Sequence, residues 1–255
     1  MITIENDEMN KIPFLHITNE KNKAEKLPLI IFVHGFTSVK ENNLHYAYLL
    51  AQKGFRVLLP EALYHGERNP GLSGHSLNIH FWEIVLQSIQ ELDLLKRSFE
   101  ERELIDPDRI GVVGTSMGGI VTLGALTKYN WIKAATSLMG MPYYEKLALK
   151  QLDDLKKNGL NIPITEDELS KLMDRLRALD LSLQPEKLHN RPLLFWHGKK
   201  DSVVPYEYSY RFYEKIKPLY EQHPDRLQFI TDLHAGHKVS NDGVLKTVNW
   251  FETYI

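Results

Sequence analysis

Short apolar runs alternate with amphipathic stretches along most of this 255-residue chain. This alternation is typical of parallel strands joined by crossover helices. The run at residues 28–33, Pro-Leu-Ile-Ile-Phe-Val, has no polar side chain and predicts a strand buried on both faces. We therefore predict an α/β fold with a mostly parallel central sheet flanked by helices.

The same patterns give the predicted elements. Strands are predicted near residues 2–5, 13–18, 28–33, 55–59, 110–113, 134–138, 193–196 and 227–230. The main helices are predicted at residues 41–53, within 79–101, from just after Ser116 to about 129, from about 204 to 217, and from near 241.

Residues 141–190 interrupt this order, because two charged amphipathic helices occupy a place where one crossover helix would suffice. Thr165 and Glu168 have the spacing of a capping box at the start of the second helix. No repeat or Gly/Ser-rich linker divides the chain. We predict one domain, residues 1–255, with a helical cap insertion at about 141–190. The apolar stripe predicted for the second cap helix consists of Leu169, Leu172, Met173, Leu176 and Leu179.

Composition excludes several classes of function. Thirty-one basic and 33 acidic residues give a net charge of −2 without a basic block, so we expect no nucleic-acid partner. The absence of cysteine excludes disulfides, thiolate metal sites and a cysteine nucleophile. The longest uncharged run, residues 110–127, contains five glycines, so we expect no membrane span. The acidic N-terminal sequence has no apolar signal core, which predicts a cytoplasmic protein. The sequence predicts no particular oligomeric state.

The sequence Gly114-Thr115-Ser116-Met117-Gly118 matches the pattern G-x-S-x-G between a predicted strand and a predicted helix. A serine at such a sharp turn projects its hydroxyl from the carboxyl edge of the sheet. The Met117 N–H would then lie at a helix N-terminus, where it can bind an oxyanion. The alternative is a glycine-rich turn around a buried serine.

A serine nucleophile needs a base, and the base needs an acid that holds its tautomer. In α/β-hydrolases the acid and then the histidine follow the serine along the chain. Asp201 follows the predicted strand at 193–196, and His234 and His237 both follow the strand at 227–230. We favour His237, because Gly236 can supply the turn that brings its ring to the sheet edge. Asp201 could instead only form the turn of its loop. In that case Asp232 is the alternative acid.

A second oxyanion donor is expected from the loop after an earlier strand, where His34-Gly35-Phe36 lies. We predict that the Phe36 N–H is this donor and that Gly35 lets the backbone approach the substrate. For the His34 ring we favour a packed, hydrogen-bonded role.

The loop at residues 61–68 follows the carboxyl end of a predicted strand, where α/β proteins bind ligands. Tyr64, His65 and Arg68, and Glu61 beside them, are therefore candidates to contact substrate, although a solvated loop explains them as well. The histidines at 65, 75 and 80 lack a metal-binding pattern, and we predict no metal site.

The cap insertion supplies further candidates. Tyr143, Tyr144 and Met173 can face substrate, but apolar residues at helical spacing more often pack a cap onto its core.

Taken together, these motifs resemble the α/β-hydrolase serine esterases of the dienelactone hydrolase and prolyl-oligopeptidase-like branch, and within it the small YitV-type bacterial esterases. The resemblance covers nearly the whole chain from about residue 28. It implies an α/β-hydrolase fold, a triad of Ser116, Asp201 and His237, and ester hydrolysis without a cofactor. The matching segments are His34-Gly35-Phe36, Phe81-Trp82, Gly114-Thr115-Ser116-Met117-Gly118-Gly119, Pro192 through Asp201, Val204-Pro205 and Gly236-His237.

We therefore predict an enzyme that cleaves a small-molecule carboxylic ester through an acyl-enzyme on Ser116. A peptidase or acyltransferase with the same triad is one alternative. A noncatalytic ligand-binding protein of the same fold is the other.

Overall fold

A computed structural model describes residues 1–157 and 165–255. One sheet contains eight strands in the order β1-β2-β4-β3-β5-β6-β7-β8. The β1–β2 and β2–β4 pairs are antiparallel, and every other neighbouring pair is parallel. The predicted α/β class with a mostly parallel sheet is confirmed. The strands are β1 (Ile2–Met9), β2 (Ile12–Asn19), β3 (Leu27–Val33), β4 (Arg56–Pro60), β5 (Ile105–Thr115), β6 (Ala134–Leu138), β7 (Leu193–Gly198) and β8 (Leu227–Asp232).

Helices connect the strands and cover both faces of the sheet. The helices are α1 (Leu44–Gln52), α2 (Gly74–Asn78), α3 (Phe81–Glu101), α4 (Met117–Lys128), α5 (Tyr144–Lys157), α6 (Glu166–Leu179), α7 (Tyr206–Ile216) and α8 (Asn241–Tyr254). On one face, α1 and α8 bury Leu50 and Phe251 against the sheet. The opposite face packs against α3 and α4, which contribute Ile89 and Val121 to a second core.

The chain departs from the sequence prediction at the start of β5. This strand begins at Ile105 rather than near residue 110, and the turn-forming sequence Asp106-Pro107-Asp108 lies inside it, where the pairing with β3 is irregular. Leu27 pairs with Ile105 and Leu29 with Ile110, so β5 advances five residues while β3 advances two. The turn chemistry is still present, because Asp106 accepts a hydrogen bond from the Asp108 N–H at 3.0 Å.

The inserted helices α5 and α6 pack on the same side of the sheet as α4. Thr165 and Glu168 form the predicted capping box, and Met173 and Leu176 of the predicted stripe are buried. Tyr144 is fully buried, and its hydroxyl donates to the Ile120 carbonyl at 2.6 Å. The organisation as one domain with a cap at 141–190 stays a prediction.

No helix within the two described stretches combines the length and apolar composition needed to cross a membrane.

The contact between α4 and α5 depends on Gly124. A Cβ at this position would lie 2.0 Å from the Tyr144 hydroxyl oxygen and 2.9 Å from Ile89 Cδ1. In an exposed helix, alanine would be about 1 kcal/mol more favourable than glycine. Overpacking of a buried site costs about 1–3 kcal/mol and acts in the opposite direction.

We therefore expect Gly124→Ala to lower the free energy of unfolding by up to about 2 kcal/mol, measured by urea denaturation. The same substitution should cost less in a Tyr144→Phe background, because the hydroxyl oxygen that blocks the new methyl group is gone. A Gly124→Ala protein more stable than wild type would contradict this account of the packing.

Candidate active site

Ser116 lies in the tight turn between β5 and α4. Its φ of 56° and ψ of −113° place a non-glycine residue in a strained region of the backbone map. The turn is held by a 2.7 Å hydrogen bond from the Ser116 N–H to the Leu138 carbonyl. The hydrogen bond to the end of β6 thus helps to hold Ser116 in a conformation that a serine would otherwise avoid.

Glycines flank this serine because three backbone segments meet there. A Cβ at Gly118 would lie 2.0 Å from the Val33 carbonyl oxygen of β3. A Cβ at Gly114 would lie 2.2 Å from the Gly118 carbonyl oxygen. The small residues of the motif therefore serve the close approach of β3, β5 and α4, as the sequence pattern predicts.

Folding brings Ser116, His237 and Asp201 into one hydrogen-bonded line. His237 Nδ1 lies 2.7 Å from Asp201 Oδ2, and His237 Nε2 lies 2.9 Å from Ser116 Oγ. An ionised carboxylate can only accept, so Nδ1 carries the hydrogen and Nε2 presents a lone pair to the serine hydroxyl. This is the geometry of a nucleophile, a base and an orienting acid.

The alternative base and acid lie elsewhere. His234 is exposed on the loop after β8. Asp232 accepts hydrogen bonds at 3.0 Å from the backbone N–H groups of His234 and Ala235, so its carboxylate shapes that loop. His237 is the histidine that contacts Ser116 and Asp201, and its catalytic role and that of Asp201 stay predictions.

Asp201 is buried and fully hydrogen-bonded. Its Oδ1 accepts from the Val203 and Val204 N–H groups at 2.9 Å each. Its Oδ2 is shared between His237 and His197, whose Nε2 lies at 3.2 Å. Burial alone raises the pKa of Asp201, but the hydrogen bonds from His197, His237 and the two N–H groups outweigh it and hold the pKa well below its ordinary value. The carboxylate therefore stays ionised at neutral pH.

His197 was given no role by the sequence analysis. It is the penultimate residue of β7, its side chain is buried, and Nε2 also lies 2.8 Å from the Val204 carbonyl oxygen. Its position four residues before Asp201, at the carboxyl end of a strand, is the signal that would have identified it.

The loop after β3 lies directly beside the nucleophile. A Cβ at Gly35 would be 3.3 Å from the Thr115 carbonyl oxygen and 3.6 Å from Ser116 Cβ, so glycine allows this approach. Met117 is the first residue of α4, where a backbone N–H has no partner within the helix. Among the described residues, the N–H groups of Phe36 and Met117 donate no hydrogen bond to another protein atom.

A neighbouring histidine stabilises this loop. The His34 ring is buried, its Nδ1 lies 2.8 Å from the Gly35 carbonyl oxygen, and its Nε2 accepts from the Ala62 N–H at 3.0 Å. This is the packed, hydrogen-bonded role that the sequence analysis favoured for His34.

A cavity of about 340 Å³ opens at Ser116. Most of its wall is apolar and comes from the loop after β3, from α3, α4 and α5, and from the loop after β7. The lining residues are Phe36, Asn78, Phe81, Ser116, Met117, Ile120, Leu147, Gln151, Asp154, Leu155, Val203 and Val204. Sequence reasoning missed the contribution of α5, for which the only signal was the apolar face of that helix.

The residues predicted to contact substrate are not among those that line this cavity: Gly35, Glu61, Tyr64, His65, Arg68, Tyr143, Tyr144 and Met173. The Tyr64 hydroxyl donates to Glu83 Oε1 at 3.1 Å, and Arg68 forms a bidentate pair with Glu91 at 2.8 and 2.9 Å. Tyr143 is half-buried beside the ring of Tyr208.

His65, another of these residues, is buried behind the loop after β3. Its Nε2 accepts from the Thr37 N–H at 3.0 Å. Substrate contact by Gly35, Tyr64, His65, Arg68 and Tyr143 stays a prediction, although the backbone of Gly35 lies next to Ser116.

One group of carboxylates among the described residues has the spacing of metal ligands: Glu41, Glu61 and Glu67. The ammonium group of Lys40 lies among them, 3.0 Å from Glu41, 3.4 Å from Glu61 and in contact with Glu67. These hydrogen bonds and charges outweigh the effect of burial and raise the pKa of Lys40. The lysine already supplies the positive charge that a cation would bring.

Comparison with known proteins agrees with this geometry. Residues 92–255 match the prolyl oligopeptidase family, Peptidase_S9. The chain belongs to this family of serine hydrolases. It is 57% identical over 255 residues, the full length of both chains, to the Bacillus subtilis (strain 168) protein described as "Putative esterase YitV". It is 36% identical over 219 residues, 85% of each chain, to "Esterase YjfP" of Escherichia coli (strain K12).

Solved structures support the fold. TT1662 from Thermus thermophilus is similar with a TM-score of 0.76 at 20% identity, covering 99% of this chain and 98% of that one. A "Putative Dienelactone Hydrolase" from Klebsiella pneumoniae gives a TM-score of 0.66 at 18% identity, covering 100% and 99%. The predicted α/β-hydrolase fold and the predicted family resemblance are confirmed.

The geometry predicts that the Ser116 hydroxyl is more reactive than the other serine hydroxyls of the protein. A fluorophosphonate probe should label Ser116 in the wild-type protein, because His237 can accept the serine proton. His237→Ala should lose the labelling, and His234→Ala should keep it. Mass spectrometry of the labelled peptide would locate the adduct, and equal labelling of both histidine variants would contradict the assignment of the base.

Proposed function

We propose that this protein hydrolyses carboxylic esters through an acyl-enzyme formed on Ser116. The observation that carries the proposal is the hydrogen-bonded line from Asp201 through His237 to Ser116, which ends at a mostly apolar cavity. The Bacillus subtilis and Escherichia coli relatives described above both carry the word esterase in their names, which supports an ester substrate.

In the first half-reaction, Ser116 Oγ attacks the ester carbonyl carbon while His237 Nε2 accepts the hydroxyl proton. Asp201 keeps Nδ1–H in place and stabilises the imidazolium that forms. The N–H groups of Phe36 and Met117 are assigned to the oxyanion, where loss of a single donor typically costs about 3 kcal/mol. The imidazolium then protonates the leaving alcohol, and the acyl group remains on the serine.

In the second half-reaction, His237 accepts a proton from water, and the resulting hydroxide equivalent attacks the acyl-enzyme. The tetrahedral intermediate collapses, the imidazolium of His237 returns the proton to Ser116 Oγ, and the carboxylic acid leaves. All of these steps use side chains, backbone N–H groups and water, so we propose no cofactor.

A peptidase is the second candidate, because the family takes its name from an oligopeptidase. The same triad cleaves amides when the pocket and the leaving group allow it. An ester and an amide with the same acyl group therefore distinguish the two functions. We expect the ester to be hydrolysed and the amide to show no turnover above the uncatalysed rate, and turnover of the amide would favour the peptidase function.

Ser116→Ala should lower kcat toward a 4-nitrophenyl ester by about 10⁴-fold or more, because the covalent route is lost. Ser170→Ala changes an exposed serine on α6 and is the matched control, with kcat expected at the wild-type value. Circular dichroism would show that both variants are folded. Unchanged turnover in Ser116→Ala would exclude the mechanism.

A further inference from the structure

A second hollow of about 390 Å³ adjoins the cavity at Ser116 and lies between α3, α5 and α6. The two spaces share three lining residues, Asn78, Gln151 and Leu155. The two spaces are therefore adjacent, with Gln151 at the boundary between them.

The wall of this second hollow is more apolar than polar, although Glu83, Gln87 and Arg175 also line it. Trp82 and Leu86 of α3, Ala148 of α5 and Leu172 of α6 contribute to it. Gln151 stands at the junction and is held by a hydrogen bond from Trp82 Nε1 to its Oε1 at 2.8 Å. The side-chain oxygen of Gln151 is therefore already bound to Trp82 and is not left unpaired when a hydrocarbon chain lies beside it.

We propose that the second hollow binds the distal part of an unbranched aliphatic chain of the ester substrate. This inference rests on the proposed ester hydrolysis and names its substrate class as esters with medium-length or longer chains. Short esters occupy the cavity at Ser116 alone. A longer chain transfers further methylene groups from water to the apolar wall, which can improve kcat/KM by up to about fourfold for each methylene.

The test uses two series of esters, one with acyl groups from acetyl to decanoyl on a common alcohol and one with alcohols from ethanol to decanol on a common acetyl group. We expect kcat/KM of the wild-type enzyme to rise with chain length in one series. That series identifies which side of the ester enters the hollow.

Leu172→Trp fills the second hollow without touching the cavity at Ser116. It should lower kcat/KM for the longest ester of that series by about tenfold or more and leave the acetate ester within about twofold of wild type. Leu149→Trp, which changes a 52% exposed residue of α5, is the matched control and should change neither. If Leu172→Trp does not fold, Ala148→Leu narrows the same space from α5.

Equal effects of Leu172→Trp on acetate and decanoate esters, or no chain-length dependence in either series, would overturn the assignment of the hollow. Ester hydrolysis dependent on Ser116 would still stand in that case. Failure of the wild-type enzyme to hydrolyse any ester would instead overturn the proposed function.

A separate observation concerns His65, which the mechanism above does not use. Its Nδ1 lies 2.9 Å from the Leu63 carbonyl oxygen, which can only accept, so Nδ1 carries the hydrogen. Nε2 therefore has a lone pair and accepts from the Thr37 N–H at 3.0 Å. Thr37 has a φ of 61° and directly follows Phe36, whose ring packs edge-on against His65 at 5.5 Å.

The neutral ring is the form that can make both hydrogen bonds, since a protonated imidazole has no acceptor. Burial lowers the pKa of His65 and favours that form. Through His65, the loop after β4 thus holds Thr37, the residue with a positive φ that follows the proposed oxyanion donor Phe36.

We infer that His65 is a positioning residue that holds the Phe36 N–H toward the oxyanion. A displaced donor weakens binding of the transition state more than binding of the ester. His65→Leu should therefore lower kcat by about 10- to 100-fold with KM within about twofold of wild type. His65→Gln, whose amide oxygen can accept from Thr37, should restore part of kcat.

His45→Leu, at an exposed histidine of α1, is the matched control and should keep wild-type kcat. A boronic acid that forms a tetrahedral adduct with serine gives a second readout, because its affinity should fall in parallel with kcat. A folded His65→Leu enzyme with wild-type kcat and boronate affinity would overturn the inference. If His65→Leu does not fold, His65→Asn, with its shorter side chain, takes its place.

Discussion

The close contact between the end of β3 and the first turn of α4 is the constraint on which the active site depends. Gly118 lies so near the Val33 carbonyl that no side chain fits between them. This contact keeps the strained turn of Ser116 at the carboxyl edge of the sheet. Strain of this kind persists only where surrounding structure determines the backbone, and here the two packed elements do so.

Sheet order explains how residues far apart in sequence meet at this edge. β5, which leads to Ser116, has β3 on one side and β6, β7 and β8 on the other. The loop with Phe36 therefore approaches the serine from one side, and Asp201 and His237 approach from the other. Parallel strands bring all of these loops to the same edge, as is general for α/β folds.

The sequence predicted the parts of this arrangement that depend on local patterns. Strand β6 has the predicted bounds, and the glycines around Ser116 indicated the tight turn because their chemistry is local. The irregularity at Asp106, by contrast, depends on pairing with β3. The hydrogen bond from His197 to Asp201 and the burial of His65 behind Thr37 likewise arise from contacts between separate loops, which single-sequence periodicity does not contain.

The chemistry and the proposed chain-binding surface come from different elements. The proposed catalytic groups sit on loops at the edge of a rigid sheet, whereas the wall of the second hollow comes from α3, α5 and α6. Substitutions on α6 can therefore change the shape of the pocket while leaving the distances among Ser116, His237 and Asp201 intact. A family with one conserved mechanism could vary its substrates in this way, because specificity depends on side chains that do not support the nucleophile.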